Sequence, residues 1–321
     1  MSIDIQVEKL LTEIYTHMAR LNHPPLNELT PEMSRFYFQE GRKFYKELFI
    51  PNIKEENKYI SDLEYRLPIR IYTPEGTGPF PILVYFHGGG WVLGDLDSSD
   101  HICRYMAHRS KSVVISVGYR LAPEYKYPKP FEDAVYAIQW IYEHIHDFWG
   151  DPSRFVVGGE SAGANLAAAA SIKFKELGFP YITGQLLITP VTHYSFDTES
   201  YQEEGTKNLT KERMIWFWHH YLEDPSQGLE PYSSPLLVKD ASNLPPALIV
   251  TVAADPLRDE GAAFANRLKR DGVCVKYMCF EGLVHSFIHM IGSVELARQA
   301  FDQIIDALKQ MVLEAPVQIG A

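Results

Sequence analysis

Val7, Leu10, Leu11, Ile14 and Met18 recur at the i, i+3, i+4, i+7 spacing of an amphipathic helix near the start of the chain. Asn22-His23-Pro24-Pro25 breaks that pattern, and a second helix is expected around 33–48, closed by Pro51. From Tyr59 the period changes. Ile60, Leu63, Tyr65, Leu67 and residues 69–72 read as early strands, ended by the turn Pro74-Glu75-Gly76-Thr77-Gly78. Short apolar runs at 82–86, 113–117, 155–157, 185–188, 247–252 and 273–280 then suit buried strands. Helical stretches at 102–109, 130–144, 162–177 and 258–269 separate most of them, and a last helix is expected over 294–313. Near-continuous apolar strands alternating with helices predict an α/β fold with a mostly parallel sheet covered on both faces.

Residues 193–234 interrupt this rhythm with aromatics and charge, including a helix near 211–222 for which Thr210 is a candidate N-cap. An insertion of that size after a strand is expected to form a lid rather than a loop. Its helix is apolar nearly all round: Met214-Ile215-Trp216-Phe217-Trp218, then Tyr221 and Leu222. The plainer expectation is a cap packed on the domain. The sharper one is that Trp216 and Trp218, with Trp91, line a substrate pocket.

Composition narrows the function classes. With 46% hydrophobic and 13% aromatic residues in 321, the chain can bury a large core without staples. A net charge of −11 repels nucleic acid and anionic lipid, so neither is an expected partner. The longest apolar run, 245–254, is about half the length of a membrane span. Met1-Ser2-Ile3-Asp4-Ile5 lacks the basic and apolar regions of a secretory signal. Three cysteines, Cys103, Cys274 and Cys279, are too few and too odd for a disulfide framework, so the cytoplasm is the expected compartment. No H-E-x-x-H, C-x-x-C or calcium-loop pattern occurs, so no metal and no cofactor is expected. His101, Cys103 and His108 read as core and surface residues, and His219-His220 lack a third partner.

Two motifs carry chemistry. Gly159, Ser161 and Gly163 form G-x-S-x-G between a β-branched strand and an Ala-rich helix. That context suits a sharp turn lifting the serine oxygen clear of the sheet, with small residues either side letting backbones approach. His87-Gly88-Gly89-Gly90-Trp91 directly follows a strand, and three adjacent glycines free successive N–H groups to converge on one oxyanion. A phosphate cradle fits less well, because neither G-x-G-x-x-G nor Gly-Lys-Ser/Thr is present.

Together these motifs resemble the hormone-sensitive-lipase-like family of α/β-hydrolase carboxylesterases. Phe86-His87-Gly88-Gly89-Gly90-Trp91, Tyr119-Arg120-Leu121-Ala122-Pro123-Glu124, Gly159-Glu160-Ser161-Ala162-Gly163-Ala164-Asn165, Asp255-Pro256-Leu257-Arg258-Asp259 and His285-Ser286-Phe287 occur in the family's order, across roughly 81–288. Glu160 and Ala164 depart from the aspartate and glycine common there. The resemblance implies an α/β-hydrolase domain over 51–321 and a helical substrate cap from residues 1–50 and about 193–234. In this fold the triad order is Ser, acid, His, which points to Ser161 as nucleophile, Asp255 as orienting carboxylate and His285 as general base and acid. Asp259 and His87 are the rivals, read instead as a first-turn charge and a support of the glycine loop; His289 reads as structural or solvated. Ala162 follows the nucleophile and donates one oxyanion N–H; the resemblance adds Gly89 and Gly90, with Gly88 open in place of one. Glu160 is expected to stiffen the turn through a salt bridge or hydrogen bond.

The expected activity is hydrolysis of short- to medium-chain acyl esters, small-molecule substrates, through an acyl-enzyme. An amidase, arylformamidase or lactonase could use the same apparatus. A non-catalytic receptor on this fold, as in gibberellin receptors, lacks the catalytic histidine, and His285 argues against it. A homodimer stays open as the assembly.

Overall fold

The structure, a computed structural model, describes residues 2–25, 28–61, 65–179, 181–203 and 208–314. Its elements run α1 (Ile5–Arg20), α2 (Pro31–Arg42), β1 (Ile53–Ile60), β2 (Leu67–Pro74), β3 (Phe80–Phe86), α3 (Asp100–Ser110), β4 (Val113–Val117), α4 (Lys129–Glu143) and β5 (Gly150–Glu160). There follow α5 (Ala162–Glu176), β6 (Gly184–Ile188), α6 (Glu199–Gln202), α7 (Lys211–Tyr221), β7 (Ala247–Ala254), α8 (Arg258–Arg270), β8 (Val275–Val284) and α9 (Glu295–Glu314).

The strands form one sheet in the order β1-β2-β4-β3-β5-β6-β7-β8. The β1–β2 and β2–β4 pairs are antiparallel and the remaining five parallel. Successive side chains of a strand point to opposite faces, and both faces here are apolar. Ile82, Val84 and Phe86 join Val113, Ile115 and Val117 on the face covered by α4, α5 and α8. Leu83 and Tyr85 lie with Val114 on the other, under α1, α3 and α9. That double burial explains why the central strands read as unbroken hydrophobic runs.

Three helix starts follow from capping. The Asp4 carboxylate accepts from Gln6 N at 2.8 Å, Thr30 accepts from Met33 N ahead of Pro31, and Thr210 accepts from Arg213 N. The second helix ends at Arg42, short of the expected 48. Beyond it the chain turns, with Phe44 N and Tyr45 N donating to Gly41 O and Arg42 O, and Phe44, Tyr45 and Leu48 pack against the core of the α9 face. Tertiary burial outweighs helical continuation there.

The early strands also differ from expectation. β1 begins at Ile53 and runs through Lys54-Glu55-Glu56-Asn57, which has no apolar alternation. It is an edge strand, half-solvated on both faces, so its pairing with β2 and not its side chains makes it a strand. Leu63 lies outside the described residues.

Candidate active site

Four strand ends bring the chemistry together. β3 feeds the glycine loop, β5 ends at Glu160 before Ser161, β7 ends just before Asp255, and β8 just before His285. All four strands are parallel, so these residues share one edge of the sheet, outside the carboxyl ends where open α/β sheets place their sites.

Ser161 sits at φ 56°, ψ −118°, a strained conformation between β5 and α5. The turn requires its glycines: a Cβ on Gly163 would lie 2.0 Å from Phe86 O, and one on Gly159 2.5 Å from the same oxygen. The elbow is thereby pressed against the end of β3. His285 Nε2 lies 3.0 Å from Ser161 Oγ, and His285 Nδ1 lies 2.7 Å from Asp255 Oδ2. Asp255 Oδ1 accepts from Leu257 N at 2.9 Å, which fixes the carboxylate's rotation. All three side chains are buried. Burial works to lower the His285 pKa, but the charge and hydrogen bond of Asp255, with the charge of Glu160, raise it above the ordinary histidine value.

The rivals lie elsewhere. Asp259 accepts from Arg258 Nε at 2.8 Å and from Ser200 N at 2.7 Å. His87 stacks on Tyr119 with centroids 4.3 Å apart, and its Nδ1 donates to Gly88 O at 2.8 Å. His289 is buried and its Nε2 meets Glu160 Oε2 at 3.0 Å, so it pairs with the residue before the serine. Burial opposes the charge on Glu160, yet His289 lowers its pKa and keeps it ionised. Glu160 lies under the glycine loop, where a Cβ on Gly88 would come 2.7 Å from its Oε2.

The loop itself accepts no side chains. Gly89 has φ +118° and a Cβ there would meet Leu93 O at 2.2 Å; Gly90 has φ +59° and a Cβ would meet Phe217 Cγ at 2.2 Å. Gly89 O accepts from Val92 N and Leu93 N, while the N–H groups of Gly89 and Gly90 donate to no backbone carbonyl among the described residues. Ala162 is the first residue of α5, where a helical N–H has no partner within the helix.

A cavity of about 750 Å³ opens over Ser161, Gly88, Gly89, Gly90 and His285. Trp91, Trp216 and Trp218 do not line it, contrary to expectation. Trp91 is fully buried, stacked on Tyr221 at 4.0 Å and against Trp218 at 4.7 Å, in the core beneath α7. Trp216 is also buried, its ring against His220 and Phe217. The face of α7 turned to the cavity carries Arg213, Met214 and Phe217. A helix that is apolar nearly all round does not reveal which side meets the pocket. The signal for Phe217 was a pairwise one, its ring occupying the space left by the absent Cβ of Gly90.

The sequence pattern of a family described as alpha/beta hydrolase fold matches residues 83–289, the span holding all these groups. The chain belongs to that family. This alpha/beta hydrolase is 34% identical over 299 residues to an ethyl acetate hydrolase of Pseudomonas putida, covering 89% of this chain and 92% of that one. It is 32% identical over 296 residues to an arylesterase of Saccharolobus solfataricus, covering 87% and 93%. Its structure is similar to that of a hyperthermophilic esterase from Pyrobaculum calidifontis, with a TM-score of 0.88 at 35% identity, covering 98% of this chain and 100% of that one.

Sequence reasoning missed four residues that line the cavity of this alpha/beta hydrolase. Tyr15, Tyr45 and Arg213 line the cavity, and Asn208 also borders it while its Nδ2 donates to His285 O at 2.7 Å. None belongs to a motif. No described helix is long and apolar enough to cross a membrane.

Proposed function

We propose that this alpha/beta hydrolase is a serine carboxylester hydrolase acting on short- to medium-chain acyl esters through an acyl-enzyme. The observation that carries it is the continuous line of contacts Ser161 Oγ–His285 Nε2–Asp255, at 3.0 and 2.7 Å, opening on a cavity of ligand size.

A serine hydroxyl is a weak nucleophile until a neighbouring base takes its proton. In this reading His285 Nε2 accepts the Ser161 proton as Oγ attacks the ester carbonyl carbon. Asp255 holds the imidazole with Nδ1–H directed at itself and stabilises the imidazolium that forms. The N–H groups of Gly89, Gly90 and Ala162 receive the oxyanion. His285 then protonates the leaving alcohol, and the same groups activate water to release the acid. The relatives' printed activities, on ethyl acetate and aryl esters, support ester substrates of modest size.

The decisive experiment follows p-nitrophenol release from p-nitrophenyl butyrate, then an acyl-length series and the matching anilides. A burst in the parent chain that is absent from Ser161→Ala supports the acyl-enzyme. Equal release by both proteins, or anilides cleaved faster than esters, overturns the assignment. The same reading takes residues 1–50 and 193–234 as the cap, since Tyr15, Met18 and Phe217 line the cavity. Free cysteines suit a cytoplasmic enzyme, and β8, last in the sheet, offers an edge for a homodimer. Cap truncation, cell fractionation and light scattering test these in turn.

A further inference from the structure

The cap side of the cavity carries hydrogen-bond donors that the hydrolytic reading does not use. Arg213 of α7 lines it, with Tyr15 of α1 and Tyr45 beyond α2. The Arg213 guanidinium makes one hydrogen bond among the described residues, from Nη1 to Asn208 O at 2.5 Å, and pairs with no carboxylate there. Its Nε and Nη2 have no protein acceptor among those residues. Neither do the hydroxyls of Tyr15 and Tyr45. Burial lowers the Arg213 pKa while the two phenols work against that fall. Burial raises Tyr15 and Tyr45, and Arg213 opposes it in both. The three groups line the same cavity.

Other charges at the cavity do not satisfy this cation. Glu160 is held by His289 at 3.0 Å, and Glu28 and Glu212 are exposed. Arg42 is already spent on Gln39 Oε1 at 2.8 Å and Asp97 O at 2.6 Å. Arg213 is part-buried on the cavity wall, so its unpartnered N–H groups face the cavity and are available to an anionic ligand. A guanidinium fork with two unspent edges matches a carboxylate, and neutral phenols add O–H donors.

We propose that Arg213, with the hydroxyls of Tyr15 and Tyr45, forms a carboxylate-binding subsite, and that this hydrolase prefers esters carrying a second, free carboxylate away from the scissile bond. The proposal deepens the ester-hydrolase reading and rests on it. The subsite is tied to the reacting groups, because Arg213 is anchored on Asn208 O and Asn208 Nδ2 holds His285 O at 2.7 Å. The chain's charge of −11 repels anions at long range, so selectivity for one needs a local cation of this kind.

The test compares anionic and neutral esters of equal length. Mono-p-nitrophenyl adipate against p-nitrophenyl hexanoate probes a carboxylate on the acyl side, and 4-acetoxybutyrate against butyl acetate probes the alcohol side. Arg213→Gln should lower the anionic-to-neutral ratio of kcat/KM by about 10- to 100-fold on one of the two pairs, the range for a charged hydrogen bond. Arg213→Lys should retain part of the ratio. Asn208→Ala, which removes the Nδ2 contact to His285 O but keeps the backbone carbonyl that holds Arg213, should change both members of a pair alike. A ratio unmoved by Arg213→Gln on both pairs overturns the proposal. If no ester is turned over, the hydrolase reading fails and calorimetry of adipate with the full chain decides the subsite. Affinity lost in Arg213→Gln then supports it, and equal affinity overturns it.

Discussion

Replacing Asp255 by asparagine isolates one contact, because the change is nearly isosteric. In the native site Oδ1 accepts from Leu257 N at 2.9 Å and Oδ2 faces His285 Nδ1 at 2.7 Å. An asparagine must keep its carbonyl toward the Leu257 N–H, since its NH₂ cannot accept, so the NH₂ turns to His285. Nδ1 is then forced to accept and the ring proton moves to Nε2, where it points at Ser161 Oγ. That tautomer cannot take the serine proton. The loss expected is about 10⁴ in kcat, or about 5.4 kcal/mol of transition-state stabilisation, with KM little changed. Steady-state hydrolysis of p-nitrophenyl butyrate reads it, with circular dichroism confirming the fold. Asp259→Asn is the control, since Asp259 is occupied by Arg258 and Ser200. A loss below tenfold in Asp255→Asn, or an equal loss in Asp259→Asn, refutes the reasoning.

Three further outcomes are expected. Activity requires neutral His285, whose pKa lies above the ordinary value of about 6.5, so kcat/KM should fall on acidification with its midpoint above that value. A profile flat from pH 9 to pH 5 would remove His285 as the base. Trp218 is 1% exposed and packed on Trp91, so Trp218→Ala should cost about 3–5 kcal/mol in urea unfolding while leaving acyl-length preference intact. Phe217→Ala should instead shift that preference toward longer chains, and the opposite pattern across the two variants would contradict the packing described here.

Much of the architecture was legible because each local signal agreed with the global fold. Strands 82–86, 113–117 and 185–188 are buried on both faces, so their hydrophobic runs were unbroken and their positions fell close to β3, β4 and β6. β1 was only partly read, because an edge strand carries Lys54, Glu55 and Glu56 where a central one carries valines. The second helix was read too long, because 43–48 is compatible with a helix until the core beneath it captures Phe44 and Tyr45. Glu160 fared better: its expected turn-stiffening contact exists, and its partner is His289.

The amino-acid order alone determined where each reactive group stands relative to its own strand. Backbone sterics at a Gly-x-Ser-x-Gly turn and the end of a strand are local matters, written within a few residues. Which groups meet across the sheet edge is not local. It depends on strand order, on the register of β5, β7 and β8, and on which side of α7 turns inward. Those choices placed Phe217 over Gly90, sent Trp216 and Trp218 into the core, and put Arg213, with no carboxylate partner among the described residues, on the cavity that Ser161 also lines. Packing decides them, because a helix with apolar residues all round gains similar burial in several rotations, and only the shape of its neighbours selects one.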